Sequence, residues 1–130
     1  MSESLIGLEA EVQQTVGADM LAASVGSGSV NVFATPELIL LLEKTAVEAL
    51  AGHLEDGKTT VGSGLDVTHL AATPVGMSVK ATAKVTGVEG RKVIFEVSAT
   101  DEVDKIAAGT HTRFIVSAES FQARADAKGK

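Results

Sequence analysis

Two side chains able to move protons fall where the apolar pattern of the chain calls for hydrocarbon. Placed on a helix at about 100° per residue, Glu43 shares the stripe of Ile39, Ala46, Val47 and Leu50, the face expected to be buried. A buried carboxylate costs several kcal/mol unless it is paired or hydrogen-bonded. The bland reading puts Glu43 at the edge of the stripe, snorkelling outward or pairing with Lys44 or Lys58. The other reading gives it chemistry. His69 poses the same question in the strand-like segment GLDVTHLAA, where it shares parity with Leu65 and Val67 and should point inward with them. It is either a hydrogen-bonded core residue or an acid–base group.

The remaining polar residues of interest have simpler readings. His53 follows the end of the same helix, where the dipole favours positive charge, and His111 lies opposite the apolar parity of its strand and is expected to be exposed. Arg113 shares the parity of His111. Three histidines without a common short spacing make no metal motif. The glycine-rich VGSG at 61–64 lacks the Lys-Ser/Thr ending of a phosphate loop and reads as a bulged strand start.

These residues need a scaffold. Leu8 to Val16 alternates as a first strand, and VGSGSVN (25–31) reads as a mobile loop. Thr35-Pro36-Glu37 then opens a helix: Thr can cap, Pro suits the first helical position, and Glu favours the positive dipole end. The run continues to Gly52, suited to the left-handed residue past a helix end. After Thr59 everything reads as strand: Met77–Val88, the turn GVEGRK with Gly87 and Gly90 available for positive φ, a strand burying Val93, Phe95, Val97 and Ala99, and Lys105–Ser117 with Ile106, Ala108, Phe114 and Val116 on one parity. One long helix followed by hairpin-linked strands implies an α+β fold, an antiparallel sheet packed on that helix. One domain is expected over residues 1–121, with 122–130 (RADAKGK at its end) a frayed tail.

Composition narrows the chemistry. The chain has 130 residues, 45% of them hydrophobic, with no cysteine, which excludes disulfides, thiolate metal sites and a cysteine nucleophile. Four Phe are the only aromatics and the net charge is −6, so nucleic acid is an unsuitable partner. Up to residue 79 there are two basic side chains against ten acidic; from Lys80 there are nine against seven, an asymmetry that suits a solvated face or a phosphate-bearing ligand. The first twenty residues lack a basic start and an apolar run, and residues 38–42 are too short to span a bilayer, so a cytoplasmic protein with no membrane partner is expected.

The stretch DVTHLAATPVGM…VEGRK…GTHTRFIV, preceded by FATPELILLLE, resembles the fluoroacetyl-CoA thioesterase-like family of hot-dog acyl-CoA thioesterases. The matches cover most of residues 33–121. The resemblance implies a hot-dog fold, one long central helix wrapped by a curved antiparallel sheet, and a homodimer with acyl-CoA sites at the interface. It implies Thr35, Glu43 and His69 as catalytic residues, and Phe33, Gly62 and Arg113 as substrate-binding ones. Neither a metal nor a cofactor is implied; the CoA thioester is itself the substrate. Where the fluoroacetate-specific member of the family carries a longer, aromatic-rich lid, this chain has VGSGSVNV, which implies hydrolysis without the aromatic enclosure suited to a small fluorinated acyl group. Pro36 replaces the family's Gly and stiffens the start of the helix.

Thioester hydrolysis needs a nucleophile, a proton relay and an oxyanion donor. Glu43 can attack the carbonyl or activate water, Thr35 can orient these groups or attack, and a backbone N–H near Gly62 can face an oxyanion. Thr35 and Glu43 would be about 12 Å apart along a continuous helix. Either Thr35 sits in a folded-back loop, or the site combines two protomers. A non-catalytic hot-dog module that binds acyl thioesters, and a hot-dog dehydratase, are the alternatives.

Overall fold

The structure, a computed structural model, describes residues 4–130. The chain runs β1 (Glu9–Thr15), a 3₁₀ turn (Ala18–Met20), α1 (Ala22–Val25), α2 (Thr35–Leu50), β2 (Lys58–His69), β3 (Ser78–Glu89), β4 (Lys92–Thr100), β5 (Lys105–Ser117) and α3 (Ala118–Lys128). The five strands form one antiparallel sheet in the order β1-β3-β4-β5-β2, so β2 is an edge strand. This is the expected α+β, hot-dog arrangement.

The inner faces of β3 and β4 supply Val79, Ala81, Ala83, Val85, Val93, Phe95, Val97 and Ala99, each no more than 1% exposed. The alanines of β3 leave room for α2, which lays Leu38, Leu41, Leu42, Thr45, Ala46, Ala49 and Leu50 against the sheet. The Thr45 hydroxyl is satisfied within the helix by donating to the Leu41 carbonyl at 2.7 Å. Gly52 closes the helix at φ +80° and Gly90 turns β3 into β4 at φ +63°, as the sequence predicts.

Several expectations fail for identifiable reasons. The buried stripe of α2 is rotated from the one read by periodicity, leaving Val47 49% exposed, because the helix is apolar around most of its circumference and only the sheet selects a face. Glu43 therefore sits on the flank, half-buried. In β5 the inward parity is that of Ala107, Gly109, His111 and Arg113, which pair with Ala99, Val97, Phe95 and Val93. His111 is completely buried and Phe114 is the outward residue. Gly87 lies in a β3 bulge rather than a positive-φ turn. The tail is helical through Lys128, although α3 buries no residue.

Candidate active site

The sequence-selected residues assemble in two clusters on the inner side of the sheet, one at each end of β2. The first joins α2 to the C-terminal end of that strand. Ala34, not Thr35, is the N-cap of α2, and it makes no side-chain cap bond. Relieved of capping, the Thr35 hydroxyl pairs with His69 Nδ1 at 2.8 Å. Burial lowers the His69 pKa below the ordinary value, opposed by the backbone of Ala71, so the ring is neutral at neutral pH. Its Nε2 is buried and has no hydrogen-bond partner of ordinary geometry among the described residues. A cleft of about 430 Å³ opens beside the pair, walled by small residues including Ala22, Gly28, Ala71 and Ala72, with Phe33 behind them. Phe33 is held from behind: its N–H donates to the Thr73 carbonyl at 2.8 Å, while the buried Thr73 hydroxyl donates to Asp101 at 2.8 Å.

The second cluster centres on Arg113, 6% exposed. Its Nη1 donates to Glu43 Oε2 at 3.3 Å, its Nε to the Thr60 hydroxyl at 2.9 Å and its Nη2 to the Thr60 carbonyl at 3.1 Å. Glu43 is thus paired with Arg113 rather than with Lys44 or Lys58. Gly62 faces the carboxylate directly, and a Cβ there would overlap Glu43 Oε2. The β-bulge between Gly62 and Gly64 explains the glycine-rich segment: before it the even residues of β2 face inward with Arg113, and after it the odd residues do, ending at His69. Periodicity alone missed Thr60 and His111. The signal for His111 was its position opposite Phe95, which becomes visible only when β5 is aligned with β4.

Thr35 and Glu43 both belong to the regular helix α2, so eight residues of rise, about 12 Å, separate them. The folded-back loop that could have joined them within one chain does not exist. A second cleft of about 600 Å³, lined by His53, Leu54, Lys58 and Arg91 among others, includes none of Thr35, Glu43 and His69. Among the described residues no group of three His, Asp or Glu side chains is placed to hold a metal ion, and no helix is long and apolar enough to cross a membrane.

The sequence pattern of the fluoroacetyl-CoA-specific thioesterase family matches residues 16–119, which includes every residue of both clusters. The chain belongs to this family. It is 45% identical over 93 residues to the fluoroacetyl-CoA thioesterase of Streptantibioticus cattleyicolor, spanning 72% of this chain and 67% of that relative. A solved structure of the fluoroacetyl-CoA thioesterase superposes with a TM-score of 0.90 at 34% identity, covering 98% of both chains. A thioesterase superfamily member from Thermus thermophilus superposes at 0.88 with 27% identity, over 95% of this chain and 92% of the other. Family membership makes the chain a hot-dog thioesterase, and the two clusters hold the residues the family resemblance singles out.

Proposed function

We propose that this protein hydrolyses a small acyl-CoA thioester to the free acid and CoA, in the cytoplasm, at sites shared between the two protomers of a homodimer. One observation supports the composite site: His69 Nε2 is buried without a hydrogen-bond partner among the described residues, while Glu43, the other acid–base group of the family's set, is anchored about 12 Å along the helix from Thr35. β2 is an edge strand of 12 residues whose free backbone edge invites pairing with a second copy. Leu40, Val47 and Leu65, 43%, 49% and 39% exposed, offer apolar cover for such a pairing. If two β2 strands pair antiparallel about an axis between Leu65 and Asp66, Gly62 of one protomer lies near the partner's His69. Thr35 and His69 of one copy then face Glu43, Gly62 and Arg113 of the other.

In this arrangement the roles follow from the chemistry of each group. Water adds to the thioester carbonyl with its proton passing to a base. The C–S bond then breaks and the CoA thiolate takes up a proton. Glu43, steadied by Arg113, supplies a carboxylate for the first step. His69, with Nδ1 tied to Thr35, leaves Nε2 as the atom that takes or gives a proton. The backbone at Gly62, open because no side chain intervenes, approaches the developing oxyanion. The cleft beside Thr35 has small, largely apolar walls, which suits a short acyl group and offers no aromatic lid.

The test is a panel of acetyl- to long-chain acyl-CoAs with free thiol detected, followed by mixing of inactive variants. Short acyl groups should turn over fastest. Saturable binding without thiol release would instead make the protein a binding module. Glu43→Gln and His69→Ala should each be inactive, yet after subunit exchange their mixture should recover about a quarter of wild-type activity, since half the dimers are mixed and each restores one site of two. No recovery after demonstrated exchange would place each site within one protomer.

A further inference from the structure

We infer that His111 is a positioning residue for this reaction: locked as a neutral imidazole between the Gly64 carbonyl and Arg113, it holds the guanidinium on Glu43 and ties it to the bulge of β2. The inference rests on the hydrolytic reading above and concerns a fully buried residue.

The lock follows from donor and acceptor identity. His111 Nδ1 lies 2.8 Å from the Gly64 carbonyl, which only accepts, so Nδ1 carries the hydrogen. Its Nε2 lies 3.2 Å from Arg113 Nη1, which only donates, so Nε2 carries the lone pair. The two bonds together permit one neutral tautomer and no cation. The ring is fully buried and stacked on Phe95, with centroids 6.0 Å apart. Arg113 Nη1 is thereby shared between His111 Nε2 and Glu43 Oε2, and its other nitrogens are held by Thr60.

Protonating His111 would point N–H at N–H and set two cations against each other, pushing the guanidinium off Glu43. The surroundings resist this. Burial pushes the His111 pKa down and the charge of Arg113 adds to the effect, against the Gly64 hydrogen bond and the more distant Glu43 carboxylate. Among the described residues those are the charged groups facing the ring: Arg113 from its own strand and Glu43 from α2. At the other nitrogen, the Gly64 carbonyl immediately follows the bulge that presents Gly62 to Glu43. His111 thus joins the two parts whose relative position decides whether the carboxylate meets the water that attacks the carbonyl carbon.

Imidazole nitrogen NMR of the intact wild-type protein tests the lock without any turnover. The expected spectrum is the Nδ1–H neutral tautomer persisting below the ordinary titration point of about 6.5. An Nε2–H tautomer, or a cation near that pH, would overturn the inference. Kinetics test the positioning role. His111→Phe keeps the ring stack but loses both hydrogen bonds, and should lower kcat roughly 10- to 100-fold with little change in KM, as expected for a misplaced reacting group. His111→Gln, whose side-chain oxygen can accept from Arg113, should recover most of that loss even if the phenylalanine variant folds poorly. Combining His111→Phe with Arg113→Ala should be no slower than Arg113→Ala alone, because the histidine acts through the arginine. Equal losses in the Gln and Phe variants, or additive losses in the double variant, would reduce His111 to a packing residue. A wild-type chain that releases no thiol from any acyl-CoA would sink the hydrolytic reading, and the nitrogen spectrum would then decide the lock alone.

Discussion

The two ends of β2 carry polar clusters built on opposite plans. Around Arg113 nearly every donor has an acceptor: five hydrogen bonds tie Glu43, Thr60, Gly64, His111 and the guanidinium into one connected, part-buried network. Around His69 the ring is held by the exposed Thr35 hydroxyl, with the Ala71 backbone nearby, and Nε2 makes no further side-chain bond among the described residues. Buried polar groups cost free energy when unmatched, so a network this complete at one end makes the orphan at the other informative. The first cluster is finished within the chain. The second leaves a group unmatched, which is what the proposed composite site would use.

The largest expected effect comes from disturbing the finished cluster. Gly62→Val inserts carbon where Glu43 Oε2 lies and should lower kcat by about 100-fold or more, since a reacting group is displaced by about 1 Å. The Thr35–His69 pair, at the other end of the strand, should keep its geometry. Steady-state kinetics together with a thermal melt checks this, and a variant with wild-type kcat would show that the carboxylate position is immaterial. A smaller loss is expected at the open cluster. Thr35→Ala frees the His69 ring and should cost roughly 10- to 100-fold in kcat, within the usual range for acid–base groups. Thr35→Ser, which keeps the hydroxyl, should stay within a few-fold; loss of activity there would show that the methyl group matters more than the bond.

The smallest effect is on stability. Both His69 and His111 have folded-state pKa values below the ordinary histidine value, burial being the main cause in each. Below about pH 6.5 the unfolded chain binds more protons than the folded one, so stability present above that pH is lost as pH falls toward the folded-state values. The melting temperature should therefore drop on going from about pH 7.5 to about pH 5.5, with part of the drop removed in His69→Gln. A flat profile would mean that neither ring is held neutral by the fold.

Much of the architecture was legible from residue order. The helix from Thr35 to Leu50, the limits Lys105–Ser117 of β5 and the buried face of β4 were all carried by period and by turn chemistry. Motif resemblance supplied Thr35, Glu43, His69, Gly62 and Arg113. His111 was misplaced because Phe114 and Val116 pulled the inward parity of β5 to the wrong side, while its true inner face is made of Ala, Gly, His and Arg. Polar residues that satisfy one another in a core look, one at a time, like surface residues. α2 misled in the opposite way, being apolar on more faces than the sheet could cover.

Sequence by itself determined the long helix and the main strands, the absence of thiol chemistry and the identities of the groups able to move protons, since these depend on local sterics and on side-chain chemistry. Tertiary structure decided which of those groups meet. Strand pairing across β4, β5 and β2 turned the face shared by His111 and Arg113 inward, the docking of α2 set Glu43 against Arg113, and a single bulge switched the inward parity so that Gly62 and His69 share a face. The continuous helix then held Thr35 away from Glu43. Register and helix rotation depend on contacts between residues far apart in the chain, and no local pattern specifies them.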